Sequence, residues 1–306
     1  MSNKLQLFLS DFLGYLESNK NLSQRTVRNY DFYLRRFLGF TKVTAPSQIT
    51  SEKVKAFRQY LSQLTVKGKL LSQSTQNYHL IALRSFLRYL KQKKLKKILS
   101  AKEVKLEKVD RRLNILAKSD LEKILEAPLK FRSPEIIKIR DKAILELIFS
   151  TGLKVSEVAD LKVKTFDSED GTLRVKKRVF VLSNQARHWI GKYVGLRQDK
   201  GQALFVSHDR AVARRSKIKD QRSKTLRLRS GQAENQRSIS LSPRSIQRLV
   251  EKYAKAAGVT QKVTPQTLRH AYAVQLLYNG ADLKTIKERL GHHSVQATSL
   301  IYKSTR

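Results

Sequence analysis

Two segments of this chain, Leu22 to Phe40 and Leu71 to Tyr89, repeat one another at an offset of 49 residues. Both open Leu-Ser-Gln and place Thr at the fifth position. Further on, Leu34, Arg35, Phe37 and Leu38 are matched by Leu83, Arg84, Phe86 and Leu87. Ser23 and Ser72 are natural N-caps, because a serine hydroxyl accepts from the N–H groups that a helix leaves unpaired at its start. The apolar positions that follow recur at helical spacing. The pattern predicts two amphipathic helices in a bundle.

Charge says what such a bundle faces. The chain holds 63 Lys+Arg against 25 Asp+Glu, a net +38, far beyond the needs of solubility. A field of that sign and size points to a polyanion, nucleic acid before anionic membrane. No apolar run approaches the ~18 residues that a membrane span requires. Residues 1 to 100 alone carry 19 Lys+Arg and 4 Asp+Glu. Helix starts rich in Ser, Thr, Gln, Asn and Arg suit DNA phosphates, which favour the exposed N–H groups of a first turn. Ser23, Arg25, Thr26 and Arg28 of the first repeat, with Ser72, Thr75 and Arg84 of the second, are the candidate DNA contacts. Met1 to Leu16 reads as a first helix and not a signal peptide, because Asp11 interrupts its apolar stripe and no cleavage site follows. The absence of cysteine excludes disulfides, thiolate metal sites and cysteine nucleophiles. The histidines show no ligand spacing, so neither metal nor other cofactor is expected. A cytoplasmic location follows as the expectation.

The fold class expected is mainly α, with an N-terminal helical bundle over residues 1–100 and a mixed α+β domain over 113–306. Between them Lys91 to Lys108 is basic and poor in aromatics, which predicts an extended tether, with the linker proper at 101–112. In the second domain Ser119 or Asp120 can cap a helix, and Arg140 to Ser150 reads as a buried helix. Thr172 to Val175 and Val179 to Leu182 predict a short hairpin. Ser207 to Ser240 holds ten Lys+Arg, three acids and no aromatic residue, and reads as a low-complexity basic insertion at about 208–240. It interrupts a strand or turn at Leu204 to Ser207. Periodicity returns where Ser242 caps a helix and Pro243 takes its first position.

The densest chemistry lies near the C-terminus. Thr264-Pro265 starts a helix on which Gln266, Arg269 and His270 stand at i, i+3 and i+4, sharing one face. Asp282 caps the next helix, and Leu290-Gly291 ends it. His292, His293 and Ser294 form a tight connection, and Val295 to Tyr302 is a last short helix presenting the tyrosine. Polar groups on neighbouring helix ends can converge there on one phosphate. A phosphodiester reacts slowly because its anionic oxygens repel a nucleophile and its alkoxide leaves badly. Guanidinium groups answer the first difficulty by bidentate hydrogen bonding. A phenol stores the bond energy as a phosphotyrosine, and a lysine or histidine moves the protons.

Four stretches then resemble, in order, the motifs of the tyrosine recombinases, the Xer and phage-integrase family. They are Thr151-Gly152-Leu153-Lys154-Val155-Ser156-Glu157, Thr264-Pro265-Gln266-Thr267-Leu268-Arg269-His270, Leu290-Gly291-His292-His293-Ser294, and Thr298 to Tyr302. The N-terminal half resembles the family's SAM-like core-binding domain. The resemblance implies a site-specific recombinase or integrase that cuts and rejoins DNA through a 3′-phosphotyrosine. Tyr302 would be the nucleophile, Arg269 a phosphate-binding arginine and His292 a phosphate-binding histidine. The family's hairpin lysine falls at Lys176 or Lys177. Double-stranded DNA with a pseudo-palindromic site is the implied partner, bound by a homo-tetramer or a hetero-tetramer with a related recombinase. The chain departs from the family pattern where Lys154 replaces an arginine and loses its planar fork. It departs again where Gln266 replaces a histidine and so cannot take the tyrosine proton. The hairpin lacks its usual glycine-containing turn, and four residues follow Tyr302 where family members carry a longer tail that packs into a neighbour. Those departures motivate a second reading, a catalytically impaired homologue acting as a DNA-binding protein. A type IB topoisomerase shares the nucleophile chemistry but not the N-terminal half.

Overall fold

The computed structural model describes residues 4–109, 115–208, 240–291 and 295–304. The chain divides into two compact units, Met1–Arg111 and Arg112–Arg306.

In the first unit, α1 (Lys4–Ser18), α2 (Gln24–Thr41), α3 (Ser51–Gln63) and α4 (Gln73–Gln92) pack around one core, with a small hairpin of β1 (Thr65–Val66) and β2 (Lys69–Leu70) before α4. The sequence repeat is a structural repeat. Ser23 and Ser72 stand at φ −60° with ψ 146° and 147°, and their hydroxyls accept from the backbone N–H of Thr26 and Thr75. In each cap the serine and threonine hydroxyls also bond one another, at 2.9 and 2.8 Å. The matched apolar positions Leu34 and Phe37, Leu83 and Phe86 are all buried. Phe12 of α1 lies against Phe86 and Tyr89 of α4, each ring 5.3 Å away.

The expected extended tether after α4 is corrected. Val104 is fully buried, and Leu95, Ile98, Leu99 and Leu106 pack on the same core. Asn77 of α4 donates to the carbonyl of Glu107 at 2.8 Å and accepts from its N–H at 3.1 Å, while Arg58 pairs with the Glu107 carboxylate. Repulsion among exposed lysines is screened by salt, whereas burial of several aliphatic side chains is not, so packing prevails over extension.

The second unit is built on α6 (Glu135–Thr151), which packs against α5 (Lys118–Lys130), α8 (Asn184–Leu196), α9 (Pro243–Ala256) and α10 (Pro265–Tyr278). A short α7 (Val155–Ala159) follows α6, and α11 (Leu283–Leu290) and α12 (Val295–Ser304) close the chain. Neither Ser119 nor Asp120 caps α5. Ala117 takes the cap position without a side-chain bond, Asp120 falls in the first turn, and Leu121, Ile124 and Leu125 are buried. Burial of those three sets the register, and an acid in the first turn still complements the helix dipole. Ser242, Thr264 and Asp282 do cap α9, α10 and α11, and Pro243 and Pro265 begin the first two of these.

The hairpin is present as β4 (Thr172–Val175) and β5 (Arg178–Val181), antiparallel, with Thr172 opposite Val181 and Val175 opposite Arg178. A third strand, β3 (Phe166–Asp167), pairs with β4, giving the order β3-β4-β5. Lys176 and Lys177 form the two-residue turn, and Lys176 takes the left-handed φ of 55° that a glycine adopts more readily. Leu204, Phe205 and Val206 are buried, and Val206 bridges Ser240. Of the basic insertion at about 208–240, residues 209–239 lie outside the described residues.

Candidate active site

Arg269 is the centre of the candidate site. Thr264 accepts from the N–H of Thr267 and Thr267 returns the bond to the N–H of Thr264, so α10 starts from a doubly satisfied cap. One turn on, Arg269 is 2% exposed. Its Nη1 donates to the carbonyl of Gly152 and its Nη2 to the carbonyl of Leu290, both at 2.6 Å. These two carbonyls belong to helix C-termini: Gly152 caps α6 at φ 61°, and Leu290 is the last residue of α11 before Gly291 at φ 62°. Unpaired carbonyls and the negative end of the helix dipole meet at such a place, which suits a buried cation. Burial pushes the guanidinium down to about 10, opposed by Glu157 and aided by Arg178, so it stays charged at neutral pH.

Lys154 lies two residues beyond Gly152, at the N-cap of α7, with its side chain exposed. Its backbone N–H donates to Glu157 Oε2 at 2.9 Å. The other carboxylate oxygen, Oε1, accepts from Arg178 Nη2 at 2.5 Å. Arg178 Nη1 donates to the carbonyl of Arg289 at 3.0 Å. Lys176 and Lys177, immediately before Arg178, are both exposed.

Gln266 is exposed, and its Nε2 lies 2.9 Å from His270 Nε2. An amide nitrogen only donates, so this ring nitrogen accepts and the imidazole is neutral. Burial, and then Arg269, lower the His270 pKa. His292, assigned by resemblance, lies outside the described residues. Tyr302 is half-buried on α12, whose Ile301 packs in a cluster with Tyr272, Ala273, Val274, Ile286 and Leu290. Among the described residues no cluster of His, Asp and Glu could hold a metal, and no helix is long and apolar enough to cross a membrane.

In the first unit Arg25 and Arg28 are exposed, Thr26 and Thr75 half-buried, and the hydroxyls of Ser23 and Ser72 engaged in their caps. Arg84 is half-buried and donates Nε to the carbonyl of Ala101 at 3.1 Å, which ties it to the fold of its own unit.

Two residues of the site were missed in the sequence. Glu157 stood inside a quoted motif without a role. Arg178 had no signal at all, since 111 positions separate it from the carbonyl it holds on Arg289.

Residues 114–306 match the model described as the phage integrase family, and residues 9–94 that of the phage integrase N-terminal SAM-like domain. The chain is 34% identical over 301 residues to tyrosine recombinase XerC of Thermodesulfovibrio yellowstonii, covering 96% of this chain and 91% of that protein. Its fold is similar to a lambda integrase (75-356) dimer bound to a COC′ core site, with a TM-score of 0.68, 18% identity and coverage of 98% and 95%. It is similar also to a lambda integrase tetramer bound to a Holliday junction, with a TM-score of 0.67, 18% identity and coverage of 97% and 76%.

Proposed function

This chain belongs to the phage integrase family, and we propose that it acts as a site-specific DNA recombinase in the cytoplasm, cutting and rejoining strands through a 3′-phosphotyrosine at Tyr302. The observation that carries this reading is the bridge made by Arg269. By holding Gly152 and Leu290 it draws together the two segments that run into Lys154 and His292. A guanidinium has five N–H donors, and in this reading those beyond the two carbonyl bonds would bind non-bridging phosphate oxygens.

In cleavage the Tyr302 oxygen attacks phosphorus as its phenolic proton passes to solvent, the bond from phosphorus to the 5′ oxygen breaks, and the phosphate stays on the tyrosine. Arg269 and Lys154 offset the charge that grows on the non-bridging oxygens, with His292 as a further donor. Lys176 or Lys177 delivers the proton to the departing 5′ oxygen. Gln266 contributes a hydrogen bond but no proton transfer. Attack by the 5′ hydroxyl of the exchanged strand reverses these steps and releases Tyr302.

Arg25, Thr26, Arg28 and the starts of α2 and α4 around Ser23, Ser72 and Thr75, with Arg84 farther along α4, would meet DNA phosphates in this reading. The site would be pseudo-palindromic, with a dimer on each copy and a homo- or hetero-tetramer across two. A nicked suicide site tests the reaction. The protein is expected to accumulate a covalent DNA adduct that Tyr302→Phe abolishes. Binding to a verified site without any adduct would overturn the proposal.

A further inference from the structure

Arg178 occupies a position that the cleavage chemistry does not use directly. It follows the Lys176-Lys177 turn, and its guanidinium lies over the Phe180 ring at 5.1 Å. One end of the fork holds Glu157 and the other holds the carbonyl of Arg289. Glu157 in turn fixes the backbone of Lys154 through its second oxygen. Gly291 makes room for the arrangement, since a Cβ there would stand 3.0 Å from Arg178 Nη1. A single side chain therefore ties together the turn that carries Lys176 and Lys177, the start of α7 that carries Lys154, and the end of α11 that runs into His292.

We infer that Arg178 is a positioning residue for strand cleavage, holding these three segments in register and neutralising Glu157 beside Arg269. This rests on the recombinase reading above. Two physical reasons support it. The bridge uses a planar fork, whose two separate Nη atoms reach a carboxylate and a carbonyl at once; a lysine offers all its donors from a single nitrogen, which cannot span the same two positions. The need is greater in this chain than in one with an arginine at 154. A flexible lysine at that position and a lysine in a left-handed turn both depend on a fixed backbone to place their ammonium groups. The charge argument is separate. Glu157 raises the Arg269 pKa and Arg178 lowers it, so all three share one field. Without Arg178 the Glu157 carboxylate would be compensated by Arg269 alone, which would weaken that guanidinium's attraction for an incoming phosphate.

The test pairs two measurements on the full chain, with Arg178→Ala, Arg178→Lys, Glu157→Gln and the double variant Arg178→Ala/Glu157→Gln. The first is amide hydrogen exchange without DNA. Protection is expected to fall around residues 154–157, 176–179 and 288–291 in Arg178→Ala and to stay unchanged elsewhere. Unaltered exchange at those segments overturns the proposal. The second is single-turnover cleavage of a nicked site at saturating protein. Misplacement of catalytic groups by about 1 Å is worth on the order of 10²-fold, so Arg178→Ala is expected to slow cleavage by about that factor while DNA affinity stays within about twofold. Arg178→Lys, which keeps the charge and serves if the alanine variant does not fold, is expected to recover about tenfold of that loss. The double variant should be no slower than Arg178→Ala alone, because the two groups act as a unit. Cleavage at the wild-type rate, or a loss that follows DNA affinity, overturns the positioning role. A wild-type protein that binds its site and forms no adduct overturns the recombinase reading instead, and the exchange data then decide the clamp by themselves.

Discussion

The Nη1 of Arg269 stands 2.6 Å from the carbonyl oxygen of Gly152, a residue 117 positions earlier. That contact brings two of the four motifs together. It works because Gly152 lets the chain leave α6 in a left-handed turn, presenting its carbonyl inward.

Gly152→Ala should therefore be strongly destabilising. An added Cβ would lie 2.5 Å from Tyr272 Cδ1 and 2.8 Å from Leu290 Cδ2, at a φ of +61°. Left-handed strain and overpacking each cost about 1–3 kcal/mol. Gly280→Ala is the control, since φ there is +82° with nothing within 4 Å. Denaturant unfolding should show a loss for Gly152→Ala larger than for Gly280→Ala by at least about 1 kcal/mol. Equal losses would refute the close-packing account.

Stability should fall as pH drops below about 6.5. His79 is buried, donates Nδ1–H to the Thr75 carbonyl and accepts from Arg36 at Nε2, so it is held neutral. Burial lowers its pKa, the bond to Thr75 opposes this in part, and Arg36 lowers it further; His270 is lowered by burial and Arg269. The unfolded chain takes up these protons first. Stability is thus complete above the ordinary histidine value and is lost as pH falls toward the depressed folded-state values. Each histidine adds a slope of at most about 1.4 kcal/mol per pH unit. Urea unfolding at pH 7.5, 6.0 and 5.0 measures it, and His79→Gln should flatten the slope. A slope unchanged in that variant would contradict the assignment.

Lys154→Arg should speed cleavage by about tenfold, because a fork adds one charge-assisted hydrogen bond to the phosphate. Gln266→His restores a group able to take the tyrosine proton, a role worth about 10²–10⁴ where it is missing. Single-turnover rates on a nicked site compare the variants. No gain from either change would mean that other residues already perform these tasks.

Lys176→Gly should stabilise the second unit by about 1 kcal/mol, since it removes a side chain from a left-handed φ of 55°. The same variant separates the two lysines as proton donors. If Lys176 is the donor, cleavage falls by about 10²-fold or more, and a substrate with a 5′-bridging sulfur, whose leaving group needs no proton, restores the rate. If Lys177 is the donor, Lys177→Ala shows that behaviour and Lys176→Gly does not.

Much of this architecture was legible in the chain because its determinants are local. Ser23 and Ser72 announced two helix starts, Thr264-Pro265 and Asp282 two more, and each cap is made by a side chain three residues from the N–H it serves. The hairpin strands showed as alternation. The stretch after α4 was misread for the opposite reason. Its lysines dominate the composition, while the burial of Val104 and the grip of Asn77 on Glu107 depend on a surface assembled from distant helices. The start of α5 was misplaced likewise, because burial of Leu121, Ile124 and Leu125 outweighed the capping preference of Ser119.

By itself the sequence determined the helix starts at Ser23, Ser72, Ser242, Thr264 and Asp282, the family motifs, and Tyr302, Arg269, Lys154 and Gln266 as candidate site residues. Periodicity, capping and motif spacing act over a few residues, and a linear reading captures them. Only the tertiary structure decided that Arg269 bridges two helix ends and that Arg178 links Glu157 to Arg289. Those bonds join positions 21 to 117 residues apart. Their geometry is set by how α6, α10 and α11 pack, and no local pattern in the chain records it.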